Sequence, residues 1–83
     1  MIDFNTLLTT DQRVEFLTRQ IQQFAQEAYR HSLNKQVAEA ANPTTEQGVA
    51  DKNAAIADSS NALEILDNAI VTYQAELDTL TAV

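Results

Sequence analysis

The sequence predicts an all-α protein, an antiparallel hairpin of two long helices that assembles into a homo-oligomeric helical bundle. Three observations carry this reading. Apolar residues recur every third and fourth place from Ile56 to Leu80 (Ile56, Leu63, Leu66, Ile70, Tyr73, Leu77, Leu80), with Ser59 interrupting. On an α-helix that spacing forms a single stripe, the seam by which helices pack side by side. An earlier run, Val14, Leu17, Ile21, Phe24 and Ala28, repeats the spacing, and the only proline, Pro43, stands between the two. The composition agrees: rich in Ala, Gln, Leu and Glu, with one Gly and no strand-forming run, it favours long helices.

Size and charge narrow the function classes. Eighty-three residues make one domain at most, with a core too small to be generously stable alone, so oligomerisation is the expected remedy. Cysteine is absent, which removes disulfides and thiolate metal sites. No run of roughly 18 apolar residues occurs, and Met-Ile-Asp-Phe-Asn-Thr has neither the basic nor the apolar region of a signal peptide. Proline in the middle of Asn42-Pro43-Thr44 rules out an N-glycosylation acceptor. The expectation is a soluble intracellular protein without a membrane partner, in a cytoplasm, a host cytoplasm or a virion. Net charge is −7, and all five basic residues (Arg13, Arg19, Arg30, Lys35, Lys52) precede Asn53. Beyond it come Asp58, Glu64, Asp67, Glu76 and Asp78 with no cation, a half that would repel a phosphate backbone, so direct nucleic-acid binding is not expected.

Residues 1–8 carry Ile2, Phe4, Leu7 and Leu8, dense enough in apolar side chains to predict a docking segment, laid over the hairpin end or against a neighbouring chain. The hairpin proper spans 9–83, with helices at about 10–41 and 45–80. Thr9-Thr10-Asp11-Gln12 opens the first: a Thr hydroxyl accepts from the backbone N–H three places on, Gln12 reaches back to the cap, and Asp11 suits the positive helix end. Its stripe meets His31 and Lys35 and fails there. Continuity then requires a register slip through Tyr29 or Ser32 to Leu33, Val37, Ala40 and Ala41, a stutter that alters local winding.

Asn42-Pro43 ends the first helix, since the residue before Pro avoids the α region. Two starts compete for the second: Asn42 as cap with Pro43 in the first helical place, or Thr44 capping with Gln47 three places later. Gly48 falls in the first turns, where its flexibility costs least. Lys52 and Ser59 interrupt the early stripe, so fraying or a looser contact is expected there. Beside the main stripe, Ala55, Ala62, Ile65 and Ala69 line another apolar face. One hairpin partner covers one face only, and these four residues are the predicted oligomer interface.

Chemistry-bearing residues are few. Glu27 and His31 sit four apart on one turn, but a metal site needs three or four ligands and di-iron bundles use a spacing of three. A surface Glu–His pair is the simpler reading, and neither metal nor cofactor is expected. A single His without a nucleophile, and a rod without a pocket, argue against an enzyme, while one glycine excludes phosphate loops. Tyr29, Arg30 and His31 could form half of a ligand site at a subunit junction, through anion binding and ring stacking. Buried polar positions more often set register. Carboxylates at Asp58, Glu64, Asp67, Glu76 and Asp78 could mimic nucleic acid and inhibit a nucleic-acid-handling or host-defence protein, although acidic surfaces ordinarily serve solubility. The leading expectation is an assembly or adaptor protein acting by protein–protein association, for example a phage accessory component. The inhibitor and the ligand-sequestering oligomer are the alternatives.

Overall fold

A computed structural model describes residues 6–82. Two α-helices, α1 (Thr10–Ala40) and α2 (Glu46–Thr81), pack against each other, with no strand among the described residues. No helix among them is long and apolar enough to cross a membrane. The docking role expected of residues 1–8 falls mostly on residues outside the described ones; Leu7 and Leu8 themselves are exposed.

Local chemistry sets the helix starts. Thr9 is the N-cap of α1, its hydroxyl accepting from Gln12 N at 3.1 Å while Gln12 Oε1 accepts from Thr9 N at 3.0 Å, a closed capping box. At α2 the structure corrects both expected starts. Thr45 is the cap, its hydroxyl accepting from Gly48 N at 3.0 Å. Neither Asn42 nor Thr44 takes that role, and Gln47 instead donates to Asp51 Oδ1 at 2.8 Å. The reason lies in Gly48: a Cβ there would stand 2.8 Å from Pro43 Cβ and 3.1 Å from Thr45 Oγ1. Capping at Thr45 thus folds the proline ring onto the first turn, over the one residue without a side chain.

A testable consequence follows for Gly48→Ala. In an open helix this change gains roughly 0.5–1 kcal/mol of propensity. Here the added methyl must push the turn away, and the expected outcome is a net loss of about 1 kcal/mol, read by chemical denaturation. A more stable variant would show that the proline contact is not a constraint.

Lys52 closes the turn from the opposite side. Its ammonium donates to Glu39 O at 3.1 Å and Ala41 O at 2.8 Å, satisfying carbonyls at the negative end of α1. That end has Ala41 as its C-cap and no basic residue of its own in its last turn, so α2 supplies the cation that α1 lacks. Lys52→Met keeps the stem and removes the donors. It should cost about 1 kcal/mol and speed amide exchange in the last turn of α1 and the adjoining turn; unchanged exchange there would disprove the cap.

The seam is fixed near its middle by Phe24 and Tyr73, whose rings meet edge to face with centroids 5.0 Å apart at 81°. The register slip expected in α1 does not occur. His31, Lys35 and Ala38 are half-buried in strict continuation of Val14, Leu17, Ile21, Phe24 and Ala28. Leu33, Val37, Ala40, Ala41 and Tyr29 are exposed. Lys and His can lie with their apolar stems on the seam and their heads at its wet edge, so an unbroken heptad costs less than rewinding the helix.

Ser59 is likewise part of the core. It is 8% exposed, as are Leu17 and Leu66. A side chain this small is covered only where the facing backbone comes close. At the start of α2 the helix is continuous from Glu46, and Val49 there is exposed, the looser contact that the interrupted stripe predicts.

The resulting body measures 56 × 28 × 15 Å, with a radius of gyration of 18.3 Å against about 12 Å for a compact domain of this length. No side chain of the described residues is fully buried. It is a rod one hairpin thick.

Candidate functional site

A seam of this kind leaves two flanks, and the heptad positions say which residues share each. In an antiparallel pair, residues one place before the Val14, Ile21, Ala28 series of α1 and one place before the Ile56, Leu63, Ile70 series of α2 fall on the same side. That side carries Arg13, Gln20 and Glu27 from α1, and Ala55, Ala62, Ala69 and Glu76 from α2. Arg13, Gln20, Ala62 and Ala69 are half-buried by the neighbouring helix. Beyond them on the same flank lie Phe16, Val37 and Ile65, which remain exposed, Ile65 at 69% and Val37 at 72%. The four residues expected to form an interface therefore lie along one groove edge, with Ala62 and Ala69 at its base and Ala55 and Ile65 open to solvent. Sequence reading of α2 alone did not show that Phe16 and Val37 of α1 extend the same apolar surface.

Arg13 is the polar anomaly of this flank. Its Nε is buried and has no hydrogen-bond partner among the described residues.

The opposite flank is different in kind. It carries Glu39, Glu64, Asp67 and Asp78 with no Arg or Lys at its own positions, together with exposed Tyr29 and Val71. The five carboxylates read as one acidic surface are thus divided: Glu64, Asp67 and Asp78 fall here, Asp58 and Glu76 on the Ala side. All five are exposed.

The candidate ligand residues also separate. Successive helical residues are about 100° apart, so Tyr29 points outward at 68% exposure, Arg30 is exposed on the Ala flank, and His31 enters the seam. Within one chain they do not converge. Arg30 does join Gln23, Gln26 and Glu27 around a shallow open depression, but all four come from one side of α1 and supply only one wall. Pockets that retain a small ligand enclose most of its surface. Glu27 and His31 make no ion pair; among the described residues the ion pair is Arg19–Glu15, at 2.8 Å and well exposed, worth little to stability. No group of three or more His, Asp or Glu side chains among the described residues could hold a metal ion.

Lys52 and Ser59, which the periodicity treats as interruptions, are the structural residues that the sequence reading missed. A signal for Lys52 was present: α1 ends without a cation of its own, and a lysine follows soon after the turn.

No family model, no curated protein and no solved structure matches this chain.

Proposed function

We propose that the protein acts by protein–protein association, as a structural or adaptor component of a larger assembly. One observation carries this reading. The chain exposes 6338 Å², whereas a compact monomer of 9.2 kDa exposes about 4,900 Å². An excess of about 1,400 Å² on a chain with two buried apolar residues among those described, Leu17 and Leu66, is surface that association would remove from water. The chemistry on offer supports the same class, since among the described residues the polar groups lie along helix surfaces and the depression beside Arg30 has one wall only.

The experiment is affinity capture with the hairpin as bait, followed by mass spectrometry of what is retained. A helical partner, or untagged copies of the chain itself, should be recovered in stoichiometric amount. Recovery no greater than with a variant carrying Leu66→Asp, which disrupts the seam, would remove the proposal.

Acidic mimicry has less support. Three carboxylates spread from Glu64 to Asp78 span about 20 Å of helix, sparse beside a duplex with a charge per roughly 1.7 Å.

A further inference from the structure

We propose that a second copy of this chain covers the flank carrying Ala55, Ala62, Ile65 and Ala69, with the two α2 helices antiparallel about a two-fold axis passing between Ala62 and Ala69. The inference rests on the association reading above and commits it to a partner and a geometry. Three features lead to it.

The first is thickness. A second layer of hairpin would turn a body 15 Å thick into a four-helix bundle with a two-sided core.

The second is position. Ala62 and Ala69 bracket the region just past the midpoint of α2 (Glu46–Thr81). A two-fold axis between them lays one α2 along the other over almost its whole length. Ala62 of each copy then faces Ala69 of the other, and small side chains let the backbones approach. Exposed Ile65 lies near the axis, and exposed Phe16 and Val37 lie farther out as apolar anchors.

The third is charge. A two-fold interface sets a surface against itself and must be self-complementary. The Ala flank mixes Arg13 and Arg30 of α1 with Glu27, Asp51, Asp58 and Glu76, so opposite charges are available on both copies. The other flank offers carboxylates alone at its own positions and would repel its copy. The acidic flank is therefore left outward.

The test exploits the absence of cysteine. The single variants Ala62→Cys and Ala69→Cys are prepared separately, then oxidised alone and as an equimolar mixture. Because a disulfide needs Cα atoms within about 7 Å, the mixture should give at least several-fold more cross-linked dimer, joining position 62 to position 69, than either variant alone. Dominant 62–62 or 69–69 linkage would overturn the antiparallel arrangement. In parallel, sedimentation of the wild type at micromolar concentration should give twice the chain mass, and Ala62→Glu with Ala69→Glu should return the chain mass while retaining helical circular dichroism. Val71→Glu, on the opposite flank, serves as the control and should stay dimeric. A monomeric wild type overturns the two-fold dimer but leaves the capture result, and with it the broader association reading, standing on its own evidence. A dimer lost in Val71→Glu and kept in the double Glu variant overturns the chosen flank while supporting association.

Discussion

Replacing Leu66 with Ala is expected to destabilise the protein by about 2–4 kcal/mol. Leu66 is one of two apolar side chains among the described residues brought down to 8% exposure, with Leu17. Its removal leaves a void that a thin seam cannot refill, because the neighbours on either side are held by the same two backbones. The whole stability of a chain this size is about 4–12 kcal/mol, so a loss of this kind takes a large share of it. Ile70→Ala, one helical turn further on and half-buried, should fall in the same range. Ser59 discriminates between packing and mere burial. Ser59→Ala should be nearly neutral, since it removes one oxygen and no volume to speak of, whereas Ser59→Leu should cost about 1–3 kcal/mol by overpacking a covered position of the seam. Urea denaturation at a fixed chain concentration measures all four, and concentration must be held constant because association adds to apparent stability. Equal losses at Leu66, Ile70 and Ser59 on conversion to Ala would show that the seam is not the core.

What the sequence disclosed about this fold was what neighbouring residues decide among themselves. The capping box at Thr9 and Gln12 depends on four consecutive residues, and both helices end within a residue or two of the positions that the apolar period and Pro43 imply. Two adjacent threonines before α2 defeated the same reasoning. Thr44 and Thr45 offer equal local caps, and the choice is made by the contact between Pro43 and Gly48. Lys52 was illegible for a similar reason: its partners are carbonyls of the other helix, which no pattern within α2 can name. The candidate surface was half legible. Ala55, Ala62, Ile65 and Ala69 are a periodic feature of one helix, but which residues of α1 continue that surface depends on which of them share a flank of the antiparallel seam. The clustering of Tyr29, Arg30 and His31 was adjacency along the chain, which a helix converts into divergence.

His31 and Lys35 are where pattern reading failed most fully, and they give the other large expected effect. A rule that places polar side chains outward demanded a slip of the stripe onto Leu33 and Val37, while the structure keeps the heptad straight and admits the two polar residues. With the seam straight, His31→Leu combined with Lys35→Leu should stabilise the protein by about 2 kcal/mol, since each replacement adds apolar burial at a half-covered seam position. For a domain of this size that corresponds to a rise in Tm of about 8–15 °C. Leu33→Ala and Val37→Ala, at exposed sites, should change stability by less than about 0.5 kcal/mol. A slipped register reverses both results: the leucines would then project from the surface and gain nothing, and the loss of Leu33 or Val37 would open a cavity costing more than about 1 kcal/mol. Thermal unfolding of the double Leu variant beside the two single Ala variants separates the two registers, because no single arrangement of α1 can be stabilised by the first and damaged by the second.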